Sequence, residues 1–269
     1  MRAVWIVPWL PLIGLLATMS VFAVRVRGGP RDADVARRPA SVLLGFWLRD
    51  WMVWALSPLE HWLVRRRVSP DALNWAGAAL GLLAGAGFIL RQLPPAAWLI
   101  ALAGIADILD GRIARARGMA SAYGGFLDST LDRFSETFTF VGVAWYLAGS
   151  AWTAAATALA IGGSLLVSYT RARGEALGVT CTGGLAQRAE RLVLLALATL
   201  LDATVSGSFG WRPGAVLGAA VAVIAVGSLA TAVYRTVVIA RVLARRADPA
   251  APGVTALPQE RGTGAAARR

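Results

Sequence analysis

Asp107, Asp110, Asp128 and Asp132 fall within DILDGRIARARGMASAYGGFLDSTLD, a charged stretch inside one of the most apolar parts of the chain. Asp107 and Asp110 are three residues apart and Asp128 and Asp132 four apart, so on two helices each pair shares a face. ARGMASAYGG lies between them, with Gly118, Gly124 and Gly125 for a turn, and such a hairpin draws all four carboxylates to the inner end of two membrane helices. Clustered like charges are costly at a low-dielectric boundary unless they are neutralised. Protonation, pairing with Arg112, Arg115 and Arg133, or a divalent metal would each do so. Oxygen donors without histidine or cysteine favour a hard cation, Mg²⁺ with Mn²⁺ or Ca²⁺ as alternatives. Four carboxylates are enough for two ions about 3.5–4 Å apart, which stabilise attacking and leaving oxygens in phosphoryl transfer. Gly111 and Gly124 leave the backbone open to a bulky ligand, and Arg115 is placed for a phosphate or carbonyl oxygen. The local chemistry points to a metal-bound diphosphate at a membrane surface.

The elements that position this stretch are apolar. Of 269 residues, 57% are hydrophobic and 16% charged, and the mean hydropathy is +0.60, above that of an ordinary soluble domain. Runs long enough for a bilayer occur at roughly 3–24, 72–90, 95–114, 134–148, 151–170, 190–205 and 214–240. All 27 basic residues are arginine, and alternating spans place only Arg2, Arg91 and Arg212 outside. That asymmetry follows the positive-inside rule, accounts for the net charge of +12 without a nucleic-acid partner, and turns the aspartates toward the cytoplasm. Residues 41–67, with Trp47, Trp51, Trp54 and Trp62 among charges, suit a helix lying at the inner surface. Ser69 and Pro70 read as a helix start, and Gly77, Gly81 and Gly85 offer a face for close packing, within the subunit or across a dimer. Cys181 excludes an internal disulfide, and His61 reads as interfacial.

The order Asp107, two residues, Asp110-Gly111, two residues, Ala114-Arg115, eight residues, Gly124, three residues, Asp128, three residues, Asp132 resembles the signature of the CDP-alcohol phosphatidyltransferase family. The resemblance implies a six-transmembrane-helix domain at 68–246 preceded by an interfacial helix at 41–67; residues 1–40, read from their own apolar run as one extra N-terminal transmembrane anchor with its linker, are an addition the family pattern does not require, and the whole is an all-α polytopic membrane protein. Residues 247–269 are expected to form a disordered cytoplasmic tail. The implied reaction is attack by a small alcohol on the lipid-side phosphate of a CDP-linked lipid such as CDP-diacylglycerol, releasing CMP. By the same resemblance two Mg²⁺, or Mn²⁺, are held by Asp107, Asp110, Asp128 and Asp132, with Asp132 also taking the proton of the attacking hydroxyl. Gly111, Ala114, Arg115, Ser121 and Gly124 would face the CDP portion, joined by Asp71 and Asn74 of the DALN segment; relatives carry Asn and Thr at those two positions. An inner-membrane homodimer with its site toward the cytoplasm is the expected assembly.

Arg171, Arg191 and Arg235 bear on the acceptor. Arg235 lies ten residues before Arg245, about 15 Å deeper at helical rise, where an arginine needs a polar partner. The three positions resemble those of the family branch that makes phosphatidylinositol phosphate from inositol phosphate, in which they hold the acceptor phosphate. Glycerol 3-phosphate is a rival acceptor within the same chemistry. A cation transporter using the aspartates is a rival of another class, disfavoured because polar residues do not continue outward along the helices. Four intact aspartates speak against an inactive relative.

Overall fold

The computed structural model describes residues 9–26 and 45–247, and among these residues the secondary structure is α-helical without strands. The helices are α1 (Leu10–Arg25), α2 (Phe46–Arg65), α3 (Pro70–Ile89), α4 (Leu93–Ala116), α5 (Ala122–Tyr146), α6 (Ala151–Ala176), α7 (Arg188–Ser208) and α8 (Ala215–Ala247). By length and composition α3, α4, α6 and α8 are able to cross a membrane. The expected run at 134–148 lies in α5 except for its last two residues and that at 190–205 lies within α7; charged residues, Asp128, Asp132, Arg133 and Glu136 on one and Arg188, Glu190, Arg191 and Asp202 on the other, dilute the hydropathy of these helices. The expected anchor at 3–24 is described only as the 16-residue α1, about 24 Å long and shorter than a bilayer core. The linker at 27–40 and the tail from 248 onward lie outside the described residues.

The core is a shared apolar layer of α3–α8, with Phe88, Ile100, Phe140, Leu195, Leu217 and Ile224 almost fully buried. The glycine face of α3 is spent inside the chain. A Cβ on Gly81 would stand 2.6 Å from the Ser135 carbonyl oxygen, one on Gly85 2.4 Å from that of Phe138, and one on Gly142 2.2 Å from that of Gly85. At that separation Ser135 Oγ donates to Gly77 O at 3.1 Å and Thr139 Oγ1 to Gly81 O at 3.2 Å. This contact presses the first helix of the domain onto the one carrying Asp128 and Asp132. Gly85→Val is therefore expected to abolish recovery of monodisperse protein in size-exclusion chromatography, because backbone, not a flexible side chain, blocks the new atoms; a wild-type elution profile would disprove the close contact.

Two polar devices fix α8. Asp202, fully buried near the end of α7, accepts from the backbone N–H groups of Gly214 (2.7 Å), Val216 (3.0 Å) and Leu217 (3.1 Å). It thereby satisfies donors that a helix start leaves without intrahelical partners, and its charge lies at the favourable pole of the helix dipole. Toward the other end, Thr231 Oγ1 accepts from Leu185 N (3.0 Å) and Ala186 N (3.1 Å), so α8 holds the segment leading into α7. The turns at 90–92, 147–150 and 209–214 share one end of the bundle, where Arg91 lies over the Tyr146 ring. The acidic hairpin is at the opposite end.

Helix α2 joins the bundle through charge as well as apolar contact. Leu63 packs with Leu109 and Ile113, and Glu60 meets Arg112 of α4 at 2.6 Å. Helix α1 docks in turn on α2: Phe22 is buried with Trp47 and Trp54 each 5.6 Å from its ring, and Trp51 Nε1 donates to Thr18 Oγ1 at 3.2 Å. Tryptophans expected at headgroup depth thus also serve as a seat for α1.

Candidate active site

Helix α4 ends because Gly118 adopts φ 64°, a conformation that favours glycine. Gly118 N donates to Arg115 O at 3.1 Å and Met119 N to Ala114 O at 2.8 Å, closing the last carbonyls of the helix. Ser121 then opens α5 in an extended conformation, its Oγ accepting from Gly124 N at 3.1 Å. A tight stop and a capped start return the chain after five residues, 117–121. That short reversal brings the two aspartate pairs together.

Asp107, Asp110 and Asp128 each offer one carboxylate oxygen, and these oxygens lie within 4.8 Å of one another. Asp110 is 4% exposed; Gly111 N donates to its Oδ1, while Oδ2 is buried without a hydrogen-bond partner. A buried carboxylate oxygen with no donor is expensive. Together with the all-oxygen set, it fits a hard divalent cation such as Mg²⁺ or Mn²⁺, which would neutralise the cluster and a diphosphate beside it.

Asp132 sits next to this triad, linked to it by a residue that sequence reasoning assigned only to membrane topology. Arg188, at the start of α7, meets Asp107 Oδ1 at 2.7 Å with one terminal nitrogen and Asp132 Oδ1 at 2.7 Å with the other. Two of the expected arginine partners lie nearby. Arg133 approaches Asp132 Oδ2 only to 4.0 Å, and Arg112 turns to Glu60. Arg115 lies over Gly111, where an added Cβ would stand 3.2 Å from its guanidinium. The glycine thus seats the arginine as well as leaving room for a ligand.

The other expected nucleotide-side residues border the same hairpin. Ala114 and Gly124 are half-buried, and Ser121 is exposed with its hydroxyl acting as the helix cap. Asp71 is half-buried in the first turn of α3, and Asn74 is buried one turn before Gly77, which faces Ala106 of α4. Ser69 takes the N-cap position without a side-chain hydrogen bond.

The three acceptor arginines also have partners within the chain. Arg191 makes a two-toothed ion pair with Glu136, Nε to Oε1 at 2.7 Å and Nη2 to Oε2 at 3.0 Å, and donates to Ala186 O at 2.9 Å. Both residues are buried. Glu136 escaped the sequence reading, although it continues the Asp128 and Asp132 face at four-residue spacing. Arg235 is buried and donates to the carbonyls of Gly183 (3.0 Å), Val167 (2.9 Å) and Thr182 (3.3 Å). Arg171 is exposed and pairs with Glu175 at 2.8 Å.

A helical membrane bundle that gathers acidic residues at one end, beside a glycine-backed arginine, defines a class of metal-dependent membrane transferase. Residues 67–226 match the CDP-alcohol phosphatidyltransferase family, and the chain belongs to it. It is an enzyme of that family and a multi-pass membrane protein. The chain is 37% identical over 210 residues to phosphatidylinositol phosphate synthase of Streptomyces avermitilis, covering 74% of this chain and 83% of the relative. The crystal structure of the Mycobacterium tuberculosis phosphatidylinositol phosphate synthase with CDP-DAG bound superposes with a TM-score of 0.61 at 27% identity, covering 74% of this chain and 98% of that one. The same mycobacterial enzyme in complex with manganese and citrate gives a TM-score of 0.60 at 28% identity, over 75% of this chain and 93% of that one.

Proposed function

We propose that this enzyme transfers the phosphatidyl group of CDP-diacylglycerol to the hydroxyl of inositol phosphate and releases CMP. The reading rests on one observation: Arg191 stands one turn from Arg188 on α7, so it shares a helix face with the arginine that meets the acidic cluster. An acceptor with its own phosphate is held there by charge while its hydroxyl faces the carboxylates. Arg171 has the most N–H groups to offer such a phosphate; Arg191 and Arg235 keep part of their donor sets and fix the pocket walls. Relatives named for phosphatidylinositol phosphate synthesis support this choice of acceptor.

In the proposed reaction Asp107, Asp110 and Asp128, joined by Asp132, hold divalent metal, two ions when filled. Gly111, Ala114, Arg115, Ser121, Gly124, Asp71 and Asn74 hold the CDP end. Asp132 takes the proton of the attacking hydroxyl on Oδ2, the oxygen not engaged by Arg188. The acceptor oxygen bonds to the lipid-side phosphorus as the bond from that phosphorus to the CMP oxygen breaks. Residues 68–246 form the catalytic domain in this reading, 41–67 guides lipid at the surface, and the arginine-rich end of the bundle faces the cytoplasm. The homodimer remains part of the proposal; the glycine face of α3 is already used within the chain.

Purified protein in lipid nanodiscs, supplied with CDP-diacylglycerol, Mg²⁺ and a panel of alcohols, is expected to release CMP with inositol phosphate well above all others. Preference for glycerol 3-phosphate would overturn the acceptor assignment while leaving the chemistry. Folded protein that releases no CMP with any alcohol would overturn the catalytic reading itself.

A further inference from the structure

The acidic cluster has a cation supplied by the chain. The Arg188 fork reaches Asp107 on α4 and Asp132 on α5, both at 2.7 Å, and its side chain is only 19% exposed. Its Nε is buried without a hydrogen-bond partner, so the side chain is held by the two carboxylates through its terminal nitrogens. One guanidinium therefore ties the Asp107 side of the cluster to Asp132.

We propose that Arg188 is a built-in competitor for divalent metal, setting how tightly the Asp132 side of the cluster takes an ion. The inference rests on the assignment of these aspartates to metal. Asp107, Asp110 and Asp128 supply one ion position that Arg188 touches at a single oxygen. A second position that uses Asp132 brings a doubly charged ion against the guanidinium, and like charges at such close separation repel in a half-buried site. Filling it requires Arg188 to leave both carboxylates. The two positions thus differ in affinity although their ligands are chemically alike. An anion arriving beside Arg188 would draw the fork away and favour the second ion, a reciprocal coupling.

The test is a Mn²⁺ titration of the full chain in nanodiscs, reading free Mn²⁺ by electron paramagnetic resonance without substrate or turnover. Wild type is expected to take up Mn²⁺ in two steps, the second weaker. Arg188→Gln is expected to tighten the second step about 5-fold or more, the lower range of typical couplings. Arg188→Lys keeps the charge but cannot fork across two carboxylates, and is expected to tighten it less. An unchanged or weaker second step in Arg188→Gln overturns the inference; should that variant fail to fold, wild-type affinities in Arg188→Lys do the same. No Mn²⁺ uptake by folded wild type overturns the metal assignment beneath it, a separable outcome.

Discussion

Asp132→Asn is expected to lower CMP release by about 10²–10⁴-fold, the usual contribution of a positioned general base, while CDP-diacylglycerol binding stays close to wild type. Asparagine preserves shape, and its amide oxygen can keep the contact that Arg188 makes with Oδ1. The amide nitrogen then takes the place of Oδ2, where Arg133 comes no closer than 4.0 Å, and it cannot accept a proton. Loss is thus confined to proton transfer and to metal contact on that side. Single-turnover measurement with saturating acceptor separates these effects, since added Mn²⁺ repairs weak metal binding and leaves a missing base unrepaired. Turnover within threefold of wild type would remove Asp132 as the base.

Arg191→Ala is expected to cost about 3–5 kcal/mol of stability, because it leaves the buried Glu136 carboxylate without its counter-charge. Loss of activity in that variant alone therefore says little about the acceptor. The paired change Arg191→Leu with Glu136→Leu removes both charges and is expected to recover most of the thermal stability of the single variant. It separates support from recognition. If the paired variant melts near wild type yet needs a much higher inositol phosphate concentration for half-maximal rate, Arg191 serves the acceptor. A stable paired variant with unaltered acceptor dependence confines Arg191 to bracing Glu136.

The aspartate hairpin was legible because its information is local: spacings of three and four set the faces, and glycines mark the reversal. What stayed hidden depends on pairing between distant helices. Arg188 lies far along the chain from Asp107, and the positive-inside pattern already explained an arginine at that end. Arg235 was rightly expected to need a polar partner; sequence periodicity has no means of indicating that backbone carbonyls of Val167, Thr182 and Gly183 would supply it. Four of the expected spans coincide with helices that length and composition alone mark as able to cross a membrane, α3, α4, α6 and α8. Hydropathy runs register apolar stretches within α5 and α7, whereas the complete helices include Asp128, Asp132 and Glu136 on one and Arg188, Arg191 and Asp202 on the other.

Asp202 gives α8 a fixed height against α7. With three backbone donors gripping one carboxylate, a slide by even one turn would strip all of them at once. Farther along the same helix, Thr231 and Arg235 grip the 182–186 segment, so a slide there would break a second set. Helix α8 is therefore held as in a rigid vice, not a ratchet. Any adjustment at the acidic end is thereby left to side chains such as Arg188, whose terminal nitrogens hold Asp107 and Asp132, and not to a shift of α8.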